Sequence, residues 1–242
     1  MKGIILAAGR GSRMHELTQD KPKCMVKLKN KPLLDYQVAA LKFADINEIG
    51  IVCGYQKEKI FNQHITRRFE NRRWEHSNMV RSLIAASEWL KNDTCMVSYS
   101  DIFYEPLAIP LLMTAKTSIA ILYDSNFKTL WSQRFTRPLS DLETFRVDSL
   151  HILQDIGSRA QTIDEIQGQY MGLLKFTPEG WQTVNLLLKT LDEHQVDNLD
   201  MTGLLKHLLL TDIKIQALPF SGTWGEVDSP TDLTLYETWM HC

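Results

Sequence analysis

The stretch Ile4-Ile5-Leu6-Ala7-Ala8-Gly9-Arg10-Gly11-Ser12-Arg13, followed by Pro22-Lys23, decides how this chain is read. A short apolar run closes on small residues and two glycines, the pattern of a buried strand delivering the chain to a tight loop. Gly9 and Gly11 lack Cβ, so their backbone N–H groups can approach an anion closely and φ can turn positive. Arg10, Arg13 and Lys23 surround that loop with cations suited to phosphate oxygens. The loop is not a Walker A sequence, because no Gly-Lys-Ser/Thr closes it. It is not a dinucleotide fingerprint either, because the third glycine is absent and the loop runs on too long before a helix.

Working outward, the chain has 242 residues, enough for one α/β core. Lysine and arginine number 27 against 29 aspartate and glutamate, so no basic excess points to nucleic acid. Cys24, Cys53, Cys95 and Cys242 stand in no ligand spacing and read as buried reduced thiols. The seven histidines, from His15 to His241, are scattered without metal spacing. The apolar run after Lys2 is too short for a signal segment and far too short to span a bilayer. The protein is therefore expected to be cytoplasmic, without membrane or nucleic-acid partners, as a monomer or homodimer.

In order, Gly3–Ala7 reads as a buried strand and Gly9 to Lys23 as a long functional loop. Pro32 opens a helix through Ala44, Glu48–Cys53 is a strand, and Lys57–Phe69 reads as a surface helix. Ser77 or Asn78 caps one helix over Met79–Leu90. Cys95–Tyr99 and Ser118–Tyr123 are strands, with a helix over Pro106–Thr114 between them. This alternation predicts a mostly parallel sheet covered by helices on both faces. Asn126–Phe145 is irregular, and Phe145–Leu153 and Tyr170–Phe176 look like strands. Helices follow over Pro178–Leu191 and Leu199–Leu209, then a strand over Ile213–Leu218, an extended Thr223–Val227 and a closing helix over Pro230–Trp239. The expectation is one α/β domain with a Rossmann-like three-layer α/β/α architecture. It divides into a nucleotide half (1–123) and an acceptor half (124–242).

The string L-A-A-G-x-G-S-R followed by P-K resembles the signature of the sugar-nucleotidyltransferase superfamily. Those α/β enzymes join a nucleoside monophosphate to a phosphorylated small molecule and release pyrophosphate. The resemblance implies that Leu6, Ala7, Ala8, Gly9, Gly11, Ser12, Arg13 and Lys23 meet the nucleotide. Lys23 and Arg13 are implied as the catalytic cations.

Asp101 follows a buried strand, at the edge where ligands sit in open α/β sheets. Glu226 and Asp228 alternate on an extended piece, so both can face one side. Mg²⁺ is held by one or two carboxylates plus phosphate oxygens and water, a need that Asp101 and Asp228 can meet. The segment W-G-E-V-D-S-P-x-D-L resembles the family's late motif, which implies Mg²⁺ on Asp101 and Asp228, with Glu226 as a further ligand. Asp232 reads as serving the closing helix.

The segments Thr18–Val26, Lys31–Gln37, Gly54-Tyr55 and Ser77–Leu83 resemble one branch in particular. It contains the phosphocholine cytidylyltransferases and relatives acting on 2-aminoethylphosphonate, which use CTP. That resemblance places Asn78 and Ser82 beside cytosine. The acceptor half offers Trp131, Arg134, Arg137, Asp141, Glu143, Tyr170 and Asp200. An ammonium group would want an aromatic face and a carboxylate, and the arginines could hold the acceptor's phosphate or phosphonate. Gly172 would let a ligand approach its backbone. The expected reaction is Mg²⁺-dependent CMP transfer from CTP to a small phosphorylated or phosphonate head group, in cell-surface or phosphonate biosynthesis. The alternative is a sugar-1-phosphate nucleotidyltransferase using UTP, GTP or dTTP. A glycosyltransferase is disfavoured, because the strand ends Ser100-Asp101-Ile102-Phe103 without Asp-x-Asp.

Overall fold

A computed structural model describes residues 1–239. Cys242 and His241 lie outside the described residues. The strands are β1 (Lys2–Ala7), β2 (Lys27–Leu28), β3 (Lys31–Pro32), β4 (Ile49–Cys53), β5 (Ile65–Glu70), β6 (Cys95–Tyr99), β7 (Ile102–Tyr104), β8 (Ile119–Asp124), β9 (Glu143–Val147), β10 (Leu153–Arg159), β11 (Gln169–Phe176), β12 (Ile215–Phe220) and β13 (Trp224–Glu226). The α-helices are α1 (Leu33–Phe43), α2 (Met79–Ala85), α3 (Ser87–Leu90), α4 (Ala108–Met113), α5 (Phe127–Arg134), α6 (Pro178–Leu188), α7 (Glu193–Asn198), α8 (Met201–Leu208) and α9 (Pro230–Trp239).

Seven strands form the central sheet in the order β12-β8-β11-β6-β1-β4-β5. β1 pairs in parallel with β4 and β6, and only β11 runs against its neighbours, pairing antiparallel with both β6 and β8. Successive strand side chains point to opposite faces. Ile4 and Ile5 of β1 and Met96 and Val97 of β6 are all buried, so both faces of the sheet are covered. The single α/β domain with a mostly parallel mixed sheet is thus the expected one. Among the described residues, no helix is long and apolar enough to cross a membrane.

Four local expectations fail for identifiable reasons. Lys57–Phe69 is not a helix: a short turn over Lys57–Lys59 leads to the edge strand β5, parallel to β4. Its exposed Thr66, Arg67 and Arg68 gave a polar pattern, and such charges suit an edge that must not recruit further strands. Asn126–Phe145 is not wholly irregular, because Phe127, Leu130 and Trp131 form the buried stripe of α5. Phe145–Leu153 spans a hairpin between β9 and β10, turned by His151 at φ 58° and by Asp148 accepting from the N–H groups of Leu150 and Ile152. Met79–Leu90 breaks at Ala86 into α2 and α3. Cys24, Cys53 and Cys95 are free and buried; burial pushes the Cys24 and Cys95 thiols up to about 12, where they are poor nucleophiles.

Candidate active site

β1 ends at Ala7, and the loop that follows is held by local constraints. The Ala8 carbonyl accepts from the Tyr55 N–H at 2.9 Å. Gly11 sits at φ 69°, and a Cβ there would fall 2.9 Å from Lys23 Cβ. This position therefore needs glycine for both conformation and space. Lys23 lies beneath the loop, with its side chain largely buried.

The β7–β13 ribbon assembles the acidic centre. Glu226 pairs with Ile102, and the Val227 N–H donates to the Asp101 carbonyl at 2.9 Å. Residues more than a hundred positions apart in sequence thereby share one edge. Carboxylate oxygens of Asp101, Glu226 and Asp228 lie within 4.8 Å of one another, the one such cluster among the described residues. The Lys23 ammonium donates to Asp101 Oδ2 at 2.9 Å and to Asp228 Oδ1 at 2.5 Å, and Arg13 donates to Asp228 Oδ1 at 2.9 Å. Asp101 Oδ1 is buried without a hydrogen-bond partner. Three hard oxygen donors and one unused buried lone-pair site fit a divalent cation.

Burial raises the Glu226 carboxyl to about 8, reinforced by Asp228 and Asp101. Burial also works to raise Asp228, but Lys23, Arg13 and Arg134 outweigh it and hold that carboxyl below its ordinary value. For Lys23, burial works to lower the ammonium, and Asp101 and Asp228 overcome it, so the side chain stays charged.

The late motif is braced from behind. Asp232 accepts from the N–H groups of Asp228 at 3.0 Å and Ser229 at 2.9 Å, while Ser229 Oγ accepts from the Asp232 N–H at 3.2 Å. Asp232 thus serves the closing helix, as expected, and also fixes the Asp228 backbone. Arg134 is a correction. Its side chain is 0% exposed, donating to Asp232 at 3.0 Å and Glu226 at 3.4 Å, with Asp228 at 3.8 Å. It braces the acids and does not face an acceptor.

Two cavities that share Met79 lie beside the Gly9 loop and the acidic centre respectively. The smaller, about 120 Å³, is lined by Leu6, Ala8, Gly9, Asn71, Trp74, Ser77, Asn78, Met79 and Ser82. Asn78 and Ser82 are on its wall, and Asn78 also caps α2. Ala7 is buried in β1, and Ser12 begins the short helical turn after Gly11, so neither lines this cavity. Asn71 and Trp74 were missed. Asn71 Nδ2 bridges Ser77 Oγ at 3.0 Å and Ser82 Oγ at 3.1 Å, and Trp74 packs edge-on to Tyr55. Only the pairing of β5 brings these residues beside the loop.

The larger cavity, about 290 Å³, takes in part of the acidic centre and shares Met79 with the smaller one. Arg13, Glu226 and Asp228 line one end, and Asp141, Glu143, Tyr170 and Asp200 also line it. Burial first, and then Asp200 and Asp141, push the Glu143 carboxyl above its ordinary value. Trp131 is a second correction. It is buried, and its indole N–H donates to Asp141 Oδ2 at 2.9 Å, so it holds a wall residue without forming the wall. Gly172 has φ 76°, and a Cβ there would sit 2.7 Å from the Tyr99 ring. Both the positive φ and the Tyr99 ring therefore require glycine here, and Gly172 lines the larger cavity. The smaller cavity is built wholly from residues 1–123, whereas the larger draws on both halves.

Residues 3–146 match the family described as the MobA-like NTP transferase domain. The chain is 36% identical over 248 residues to the CTP:phosphoglutamine cytidylyltransferase of Campylobacter jejuni, covering 96% of this chain and 98% of that protein. The CTP:phosphocholine cytidylyltransferase of Streptococcus pneumoniae superposes with a TM-score of 0.74 at 21% identity, covering 99% of each chain. The inositol-1-phosphate CTP transferase from T. maritima superposes with a TM-score of 0.78 at 20% identity, covering 98% of this chain and 93% of that one. These two likenesses speak to the fold alone. With the loop, the acidic centre and the family match together, the chain belongs to the MobA-like NTP transferases and is a nucleotidyltransferase.

Proposed function

We propose that this protein transfers CMP from CTP to a small phosphorylated acceptor that carries an ammonium group, releasing pyrophosphate. One observation carries the reading: the acidic centre held by Lys23 and Arg13 opens into a cavity lined by Asp141, Glu143 and Asp200, and that cavity shares Met79 with the smaller one beside the Gly9 loop. The name of the Campylobacter jejuni relative supports CTP as donor and a small phosphorylated compound as acceptor.

In this reading the loop from Gly9 to Arg13 takes the triphosphate, and Asn78 and Ser82, with Asn71 and Trp74, form the cytosine pocket. Asp101, Asp228 and Glu226 would hold Mg²⁺, which when bound neutralises phosphate charge at the reacting centre. The acceptor's phosphate oxygen is already anionic at neutral pH and needs no general base. It forms the new bond to the α-phosphorus as the bond to the bridging oxygen of pyrophosphate breaks. Lys23 and Arg13 take up the charge that develops on the α-phosphate and the leaving group. Arg134 holds the carboxylates in register, so alignment and charge neutralisation supply the catalysis.

Asp141, Glu143 and Asp200 give the far end of the acceptor cavity a negative field, and Tyr170 adds an aromatic wall. An ammonium-bearing acceptor meets that field, whereas a neutral sugar leaves it uncompensated. The reaction is assigned to the cytoplasm, where CTP is available. The test is pyrophosphate release over a matrix of nucleotides and acceptors, including phosphocholine, phosphoethanolamine, 2-aminoethylphosphonate, an amidophosphate and several sugar phosphates. CTP with an ammonium-bearing acceptor should give the highest kcat/KM. Preference for UTP, GTP or dTTP with a sugar-1-phosphate would overturn the reading.

A further inference from the structure

Asp197 borders neither cavity and has no part in the proposed reaction, yet it is buried with two arginines on its carboxylate. Arg81 Nε donates to Asp197 Oδ1 at 2.7 Å, and Arg73 donates to Oδ2. Both guanidinium groups also reach Glu193 Oε2, at 2.8 Å from Arg81 and 3.1 Å from Arg73. Asp197 and Arg81 are largely buried while Arg73 and Glu193 are largely exposed, so the cluster adds little net stability. What it contributes is geometry.

The geometry is specific. Arg73 immediately precedes Trp74 and Arg81 immediately precedes Ser82, both on the wall of the smaller cavity. The backbone repeats the connection. The Asn78 N–H donates to the Asp197 carbonyl at 2.6 Å, and the Val80 N–H donates to the Leu199 carbonyl at 3.3 Å. The first turn of α2 therefore draws hydrogen-bond partners from residues 197–199. The chain then runs directly into Asp200, Met201 and Thr202 on the wall of the larger cavity. Met79 lines both cavities.

Resting on the assignment of the two cavities to cytosine and acceptor, we infer that Asp197 is a positioning residue that joins them. Through Arg73, Arg81 and the α2 backbone it sets the base-pocket wall and residues 197–202 as one unit. A nucleotide held against Trp74, Asn78 and Ser82 then stiffens the acceptor wall before the acceptor arrives.

The experiment needs only CTP with Mg²⁺ and the whole protein, read by calorimetry and amide hydrogen exchange. In the unaltered protein, CTP should protect amides in 74–82 and also in 198–202. Asp197→Asn should weaken CTP binding about tenfold, within the range usual for coupled sites. Protection in 74–82 should remain, and protection in 198–202 should be lost. Arg73→Gln, a change at a half-exposed side chain, should shift both readouts in the same direction if Asp197→Asn fails to fold. A purely structural role for Asp197 would lower Tm and leave CTP affinity and the protection pattern unchanged, which would overturn the inference. So would CTP binding to the unaltered protein with protection confined to 74–82. Failure of the unaltered protein to bind CTP would instead overturn the nucleotide assignment itself.

Discussion

The Lys23 ammonium stands 2.5 Å from Asp228 Oδ1, a contact between residues 205 positions apart that closes the site. The same nitrogen lies 2.9 Å from Asp101 Oδ2. One cation thereby compensates two carboxylates that would otherwise repel each other in a largely buried space. Lys23→Met should lower turnover by about 10²-fold or more, the scale of losing one preorganised charge stabiliser. It should also lower Tm in EDTA, with Mg²⁺ restoring more of the loss than in the unaltered protein. Steady-state pyrophosphate release and thermal unfolding check the two halves, and near-normal turnover would remove Lys23 from the mechanism.

The proposed role of Glu226 as a metal ligand predicts a pH-dependent metal affinity. In the metal-free protein its carboxyl titrates at about 8, above the ordinary value near 4.5. A raised folded value means that its stabilising contribution is complete below about 4.5 and lost as pH rises through about 8. Cation binding requires the deprotonated carboxylate, so below 8 it must displace a proton. The Tm gain on adding Mg²⁺ should therefore be larger at pH 8.5 than at pH 6.5. Equal gains at both would show that Glu226 is not a ligand.

The Arg134 side chain is fully buried between the acids it braces and the Trp131 and Phe135 rings. Arg134→Met should cost about 3–5 kcal/mol of stability in urea unfolding, the usual scale for stripping one partner from a buried ion pair. Arg134→Lys keeps the charge but cannot span Glu226 and Asp232 with a planar fork, so it should recover only a minor part. A neutral Arg134→Met would mean that the acids are stable without the brace.

Glu143 and Asp200 test the acceptor assignment. Glu143→Gln with Asp200→Asn should raise KM about tenfold or more for an ammonium-bearing acceptor, with the KM for CTP little changed. Discrimination against acceptors without a cation should shrink accordingly. An unchanged acceptor KM would move the acceptor out of this cavity.

Much of the donor side was legible because local sequence dictates it. Ile4 to Ala7 makes a buried strand by hydrophobicity alone, and Gly11 reports a backbone that no side chain could adopt there. The carboxylates Asp101, Glu226 and Asp228 could be named from strand-end position and alternation. Asn78 and Ser82 were placed by resemblance, and the structure sets them on one cavity wall. The family match and the curated relative agree with that reading of the fold and the enzyme class.

What the chain could not reveal locally was which side chains turn toward the site. Trp131 and Arg134 belong to a helix whose polar surroundings hid it, and that helix buries them outside the lining of the larger cavity. Asn71 and Trp74 reach the smaller cavity only because β5 adds to the sheet as an edge strand, although its charged residues read equally well as a helical surface. The local sequence determined a phosphate loop at a strand end and a set of acids. The pairing of β7 with β13 decided that those acids meet Lys23, and the docking of α7 and α8 against α2 brought Asp200 to the cavity that Glu226 and Asp228 line. Side-chain direction and long-range pairing depend on packing across the whole core, which no window of residues encodes.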